Sequence, residues 1–94
     1  MGSSGAKMET KEARLKRLKM RSWRRGTKEM DLILGPFADD RLAWMGEAEL
    51  VLYDALLEEN DQELITWVMG TGLIPARFAG LMAQISEIAR IRPR

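Results

Sequence analysis

Residues 24–37 read RRGTKEMDLILGPF, and this stretch contains the boundary between two helices and the start of the second. Gly26 interrupts a basic helical run, and Thr27 directly after it is a suitable N-cap. Glu29 and Asp31 follow in the first turn, where acidic side chains favour a helix N-terminus. We therefore expect a turn at Gly26 and a new helix after Thr27.

The apolar residues of the same stretch are spaced as on one face of a helix. Met30, Ile33, Leu34 and Phe37 recur at intervals of three and four residues. Pro36 lies inside this pattern and has no N–H to donate to the helix. The sequence therefore predicts a kink at Pro36, or a break into two short helical pieces.

Helical patterns continue on both sides of this stretch. Residues 10–25 predict a basic helix capped by Thr10, and three further helices are predicted to begin near Gly46, Asn60 and Pro75. Each has apolar residues at helical spacing, and no long run alternates with the period of two that marks a strand. The fold class is therefore predicted as all-α, a single small bundle of five short helices.

The two ends of the chain set the predicted domain limits. Residues 1–7 begin Met-Gly-Ser-Ser-Gly, which is typical of an expression scar or a disordered tail. We assign residues 8–94 to one helical domain. No run of about 18 apolar residues occurs, so the sequence predicts no insertion into a membrane.

Two residue types are missing from the whole chain, histidine and cysteine. Their absence excludes disulfides, thiol nucleophiles, serine and cysteine triads, and most zinc sites. The remaining polar residues show no spacing typical of a catalytic or metal site. We therefore expect no catalytic residue, no metal and no enzymatic activity of the chain itself.

Charge is strongly segregated along the sequence. Residues 1–28 carry ten Lys or Arg and two acidic residues, whereas residues 29–76 carry one Arg and eleven acidic residues. A basic arm of this kind indicates either a contact with nucleic acid or an acidic protein, or internal pairing with the acidic middle. The basic residues 11–25 could form an RNA-binding helix, although only Trp23 offers a stacking ring there.

The aromatic residues also allow two interpretations. They could line a cofactor pocket, but aromatic side chains at helical spacing in a small bundle are more often part of the core. We expect the core interpretation to hold for Phe37, Trp44, Trp67 and Phe78. The acidic run at residues 58–61 lacks the spacing of a calcium loop and is interpreted as a loop with a helix cap.

The segment around Gly26 is the strongest candidate for a binding site. A glycine between charged residues exposes its backbone and allows another chain to approach closely. Arg25 and Glu29 are four residues apart and share a face if one helix runs through both. Such a group is suited to contact with a polar partner surface, although a simple helix boundary would explain part of it.

The same residues resemble a known family. RRGTKEMD at residues 24–31, continuing into Pro36 and Phe37, is similar to the signature of the succinate dehydrogenase flavinylation assembly factors, the SdhE-type family. LLE at residues 56–58 and NDQELITWVM at residues 60–69 resemble the third and fourth helices of that family. The similarity covers roughly residues 15–75.

This resemblance implies a five-helix bundle that binds the flavoprotein subunit of succinate dehydrogenase, and in some members fumarate reductase. It also implies a role in the covalent attachment of FAD to a histidine of that subunit. The family motif falls on Arg25, Gly26 and Glu29. Thr27 and Met30 differ from the commonest pattern, which has Met and Leu at these positions.

The implied site is a partner-binding surface. Arg25 would make charged hydrogen bonds to the partner, Gly26 would allow close approach, and Glu29 would order Arg25 or bind a basic group across the interface. Supporting roles fall to Arg24, Thr27 and Asp31.

The resemblance also predicts where FAD is bound, the oligomeric state of the protein and its location in the cell. Because the chain has no histidine, the flavin-bearing histidine belongs to the partner, and FAD is expected on the partner and not on this chain. The free protein is expected to be a monomer in the cytoplasm, or in the mitochondrial matrix of a eukaryote. The alternative is a small nucleic-acid-binding helical module that uses the basic N-terminal helix.

Overall fold

The computed structural model describes residues 9–91, with side chains up to residue 89. It contains five α-helices: α1 Lys11–Trp23, α2 Lys28–Arg41, α3 Glu47–Leu56, α4 Asp61–Met69 and α5 Ala79–Ile91. Single 3-10 turns follow α2 and precede α5. Residues 9–91 contain no strand, and the predicted all-α fold is confirmed. The predicted tail at residues 1–7 and the predicted helix stop at Pro93 lie outside the described residues.

Local signals set several helix ends as the sequence predicts, but α5 begins at Ala79, after the 3-10 turn, and not near Pro75. Thr10 Oγ1 accepts a hydrogen bond from Ala13 N at 3.0 Å, and Asn60 Oδ1 accepts one from Glu63 N at 2.9 Å. Gly70 ends α4 with φ of +80°, a left-handed conformation that favours glycine. These caps satisfy backbone groups that a helix terminus leaves without partners.

Pro36 does not break α2. The helix is continuous from Lys28 to Arg41, so the predicted break into two pieces is wrong. Proline removes only its own hydrogen bond, to the carbonyl of Leu32, and Leu32 lies on the exposed face of the helix where water can replace it. Residues 34–38 are all buried, and their packing against α1 and α5 holds the helix together.

All five helices contribute to one hydrophobic core. The rings of Phe37 and Tyr53 lie with centroids 5.6 Å apart, and those of Trp67 and Phe78 lie 5.9 Å apart. The core prediction is therefore confirmed for Phe37, Trp67 and Phe78. It is wrong for Trp44, which is 84% exposed because the 3-10 turn after α2 directs it away from the bundle.

A close contact between Trp23 and Gly35 joins α1 to α2. A Cβ atom placed on Gly35 would lie 2.3 Å from Trp23 Cδ2, so the indole ring rests directly on the glycine backbone. The indole Nε1 donates to Asp39 Oδ1 at 3.4 Å, which orients the ring along α2. Gly35 is thus required by packing between helices.

A buried polar pair lies between α1 and α3. Ser22 Oγ donates to the Leu18 carbonyl at 2.7 Å and lies 2.6 Å from Tyr53 Oη. Both side chains are fully buried. Burial raises the pKa of Tyr53 to about 12, although the hydrogen bond with Ser22 and the charge of Arg25 act in the opposite direction.

We predict that Gly35→Ala and Gly80→Ala change stability in opposite directions. Gly35→Ala should lower the free energy of unfolding by about 1–3 kcal/mol, because the new methyl group displaces the Trp23 ring. Gly80 has no atom near its Cβ position, so alanine there should raise stability by about 0.5 kcal/mol through helix propensity. Urea unfolding of both variants measures this, and a gain in both would contradict the contact.

We predict that alkaline conditions destabilise the protein through Tyr53. The unfolded tyrosine ionises near pH 10, whereas the native one stays protonated to about pH 12. Stability is therefore fully present below pH 10 and falls by about 2–3 kcal/mol as the pH rises through this window. Tyr53 is the only tyrosine, so tyrosinate absorbance follows it directly. Tyr53→Phe should remove this part of the pH dependence, and an identical slope in both proteins would contradict it.

Candidate functional site

The guanidinium of Arg25 is bound inside the protein. Its side chain is 9% exposed. Nε donates to Asp61 Oδ1 at 2.8 Å, Nη2 donates to the Glu59 carbonyl at 2.6 Å, and Nη1 donates to the Leu57 carbonyl. Arg25 therefore fastens the turn between α1 and α2 to the turn between α3 and α4, and each of its three nitrogen atoms has a partner.

Further hydrogen bonds hold the backbone on both sides of Gly26. Asp61 Oδ2 accepts from Thr27 Oγ1 at 3.2 Å, so one carboxylate binds the residues before and after the glycine. Asp31 Oδ1 accepts from Arg25 N at 2.6 Å. Thr27 is the N-cap of α2, as predicted, and accepts from Met30 N at 3.4 Å. We name Arg25, Thr27, Asp31 and Asp61 the clamp.

Gly26 lies at the exposed tip of this turn. Its φ is +102°, a conformation that side-chain-bearing residues rarely adopt. No atom lies within 4 Å of the position that a Cβ would occupy, so packing inside the described protein does not require a glycine there. The open side of Gly26 therefore lets another surface approach the backbone.

Glu29 does not order Arg25, and this part of the sequence interpretation is wrong. The residues 24–27 form a turn between two helices, so Arg25 and Glu29 do not share a helical face. Asp61 is the carboxylate that orders Arg25. Glu29 is exposed, and among residues 9–91 its carboxylate has no hydrogen-bond or ion-pair partner. Arg24 is exposed in the same way.

The six residues singled out by sequence therefore separate into two groups. Arg25, Thr27 and Asp31 are held in internal hydrogen bonds, and Arg24, Gly26 and Glu29 are exposed. Sequence reasoning missed Asp61, which appeared only as part of an acidic loop and cap. Its separation of 36 residues from Arg25 left no local signal, beyond the excess of acidic residues in the middle of the chain.

Ion pairs inside the protein account for much of the charge segregation along the sequence. The arginines of α1 face acidic residues of α3 and its following turn. The pairs are Arg14–Glu47 at 2.9 Å, Arg17–Asp54 at 3.0 Å, Arg21–Asp54 at 3.1 Å and Arg21–Glu58 at 2.9 Å. Arg17 donates hydrogen bonds to Glu9 and Asp54, and these raise its pKa above the ordinary value. The Arg25–Asp61 pair extends the same series into the clamp.

Residues 9–91 give no support for a metal site or a membrane-spanning helix. Among residues 9–91, no group of three or more acidic side chains is arranged to hold a metal ion. No helix in this part of the chain is long and apolar enough to cross a membrane.

Comparison with known proteins gives the family. A family model described as flavinator of succinate dehydrogenase, Sdh5, matches residues 16–89. The chain belongs to this flavinator family. The match includes the whole turn around Gly26, all four clamp residues and most of the described helices, and it confirms the resemblance seen in the sequence.

Individual relatives come from bacteria and from fungi. The FAD assembly factor SdhE of Acetobacter pasteurianus is 34% identical over 91 residues, which are 96% of this chain and 84% of the relative. The mitochondrial succinate dehydrogenase assembly factor 2 of Mycosarcoma maydis is 39% identical over 75 residues, and that of Schizosaccharomyces pombe 39% over 70 residues. These matches cover 80% and 74% of this chain, but only 32% and 50% of the two fungal proteins.

We predict that Arg25→Ala strongly destabilises this flavinator-family protein. The change leaves Asp61 and the carbonyls of Leu57 and Glu59 without their buried partner, which should lower the free energy of unfolding by about 3–5 kcal/mol. Arg14→Ala is the control, since Glu47 across from it is mostly exposed and the pair contributes about 1 kcal/mol or less. Urea unfolding measures both, and equally small losses would contradict the clamp.

Proposed function

We propose that this protein is an assembly factor that binds the flavoprotein subunit of succinate dehydrogenase and promotes covalent attachment of FAD to a histidine of that subunit. Membership of the flavinator family supports this role, as do relatives named FAD assembly factor and succinate dehydrogenase assembly factor. The observation that carries it is the turn at Gly26, which is fixed from inside by the clamp and open on its outer side.

The proposed mechanism is positioning of the partner. The chain has no histidine or cysteine, so the histidine that receives FAD lies on the flavoprotein subunit. The helper holds that subunit in the arrangement that brings its histidine and FAD together. Correct alignment of reacting groups lowers a barrier substantially without any chemical group from the helper. FAD is carried by the partner, and the helper acts without enzymatic chemistry of its own.

The residues of the site have distinct roles in this proposal. Gly26 lets the partner backbone approach closely, Glu29 accepts hydrogen bonds from a basic group across the interface, and Arg24 binds an acidic one. Arg25 acts through the clamp and not by direct contact, because its nitrogen atoms already have partners. A turn that is ordered before binding loses less conformational entropy when the partner docks.

The proposal also covers the oligomeric state, the location and the clients of the protein. The free chain is a monomer, and it works where its client is assembled, in the bacterial cytoplasm or in the mitochondrial matrix. The flavoprotein subunit of fumarate reductase is a second client to be tested beside that of succinate dehydrogenase.

The nucleic-acid alternative has less support from the structure. The arginines of α1 are paired with acidic residues of the same protein. One face of the Trp23 ring is covered by Gly35, which limits its use for stacking on a base.

We predict that Gly26→Arg strongly reduces assistance to flavinylation, whereas Gly70→Arg does not. Both glycines have positive φ and open space at the Cβ position, so both changes strain the backbone similarly. Only Gly26→Arg places a bulky side chain on the proposed docking surface. With purified flavoprotein subunit, FAD and each variant, covalent flavin fluorescence on a denaturing gel should appear about tenfold or more slowly with Gly26→Arg.

Glu29→Gln provides a milder form of the same test. Glu63 also lies exposed in the first turn of a helix, so Glu63→Gln is its matched control. Flavinylation should slow with Glu29→Gln alone. Undiminished flavinylation by folded Gly26→Arg and Glu29→Gln variants would overturn the site, and no effect of the wild-type protein would overturn the function.

A further inference from the structure

A mixed cationic and apolar stripe runs along the outer side of α1. Lys19 and Met20 follow Lys16 by three and four residues, and Trp23 follows them by four and three, so the four side chains lie along one face of the helix. They follow about 10 Å of the helix axis. We name these four residues the α1 stripe.

Much of the apolar surface of the stripe stays exposed after folding, although one face of the Trp23 ring packs on Gly35. Met20 is 49% exposed and Trp23 39% exposed. Within the described residues, Lys16 and Lys19 make no ion pair, in contrast to the arginines on the other side of α1. The arginines of α1 therefore pair with acidic residues, whereas Lys16 is exposed and Lys19 is half-buried, and neither has an ion pair in this part of the chain.

The stripe is continuous with the candidate site. Trp23 directly precedes the turn that carries Arg24 and Gly26, and its ring extends across Gly35 onto α2. On α2, Leu32 lies one turn before Gly35 and is 57% exposed. Large apolar side chains are therefore exposed on both of the helices that the turn at Gly26 connects.

We propose that the α1 stripe is a second docking surface for the flavoprotein subunit, and that its occupant is an apolar patch of that subunit bordered by carboxylates. This inference rests on the proposed function and extends the contact beyond the turn at Gly26. Charge complementarity selects the occupant, since two unpaired lysines beside two exposed apolar side chains match an apolar surface with an acidic border.

The composition of the stripe favours a protein over other polyanionic surfaces. Methionine and tryptophan are enriched at protein interfaces, where a charged rim surrounds an apolar centre. A helix that lies in a membrane surface needs a wide apolar face, but the core side of α1 is already buried through Leu18 and Ser22. For nucleic acid, the Trp23 ring offers only one free face to a base, because Gly35 covers the other.

The two kinds of side chain have separable effects on binding. The lysines attract the acidic border over a distance, so they raise the association rate and make it sensitive to salt. Met20 and Trp23 lose contact with water only in the complex, so they slow dissociation.

The lysines are tested with the double variant Lys16→Gln/Lys19→Gln. Its control is Ala79→Glu/Ala83→Glu, which lowers the net charge equally at exposed positions of α5. Association with the purified FAD-free flavoprotein subunit of succinate dehydrogenase is followed by stopped-flow at low and near-physiological salt. The lysine variant should associate about tenfold more slowly at low salt, with the difference shrinking at higher salt. The control should change less than about twofold.

The apolar part is tested with Met20→Ser. Its control is Val51→Ser on α3, because Val51 is 56% exposed and lies away from the stripe. Met20→Ser should raise the dissociation rate about five- to tenfold, whereas Val51→Ser should leave it unchanged.

The outcomes separate this inference from the proposed function. Unchanged association of the lysine variant and unchanged dissociation of Met20→Ser, with binding still lost in Gly26→Arg, would overturn the stripe and leave the function intact. Failure of the wild-type protein to bind the subunit at all would overturn both. Lysine-dependent binding to anionic phospholipid vesicles or RNA, without any lysine effect on the subunit, would also overturn the stripe.

Discussion

The largely shielded ion pair between Arg25 and Asp61 is the contact on which the geometry of the site depends. It joins the turn after α1 to the start of α4, and Asp61 also binds Thr27 on the far side of Gly26. A buried charge pair is stable only when its remaining hydrogen-bonding groups are satisfied. The carbonyls of Leu57 and Glu59 fill that need for Arg25, so the pair also fixes the turn between α3 and α4.

The arginines of α1 extend this arrangement along the bundle. Their ion pairs with α3 and its following turn offset part of the acidic charge in the middle of the chain. The aromatic contact between Phe37 and Tyr53 joins α2 to α3. The segregation of charge in the sequence is therefore mainly a property of folding. Two features remain for the proposed binding: the exposed turn at Gly26, and the lysines of the α1 stripe, which pair with no acidic residue in this part of the chain.

Predictions from the sequence succeeded where the physical cause is local. The caps at Thr10, Thr27 and Asn60 depend on a few neighbouring residues, and the structure has them as expected. The predicted break at Pro36 was wrong, because burial of the surrounding residues outweighs one lost hydrogen bond. The role of Asp61 could not be predicted, because it arises only when distant parts of the chain meet. The family motif singled out Arg25, Gly26 and Glu29, but it did not predict that the Arg25 side chain faces inward.

The sequence separation of the clamp residues determines when the turn at Gly26 becomes ordered during folding. Arg25 and Asp61 are separated by 36 residues, so the turn at Gly26 acquires its fixed shape only after α4 has docked. A nascent chain that ends before α4, or a protein in which α4 has undocked, contains the residues of the motif but lacks the clamp that fixes the turn. Under the proposed function, a client that binds the shape of this turn would bind only helpers whose folding is complete.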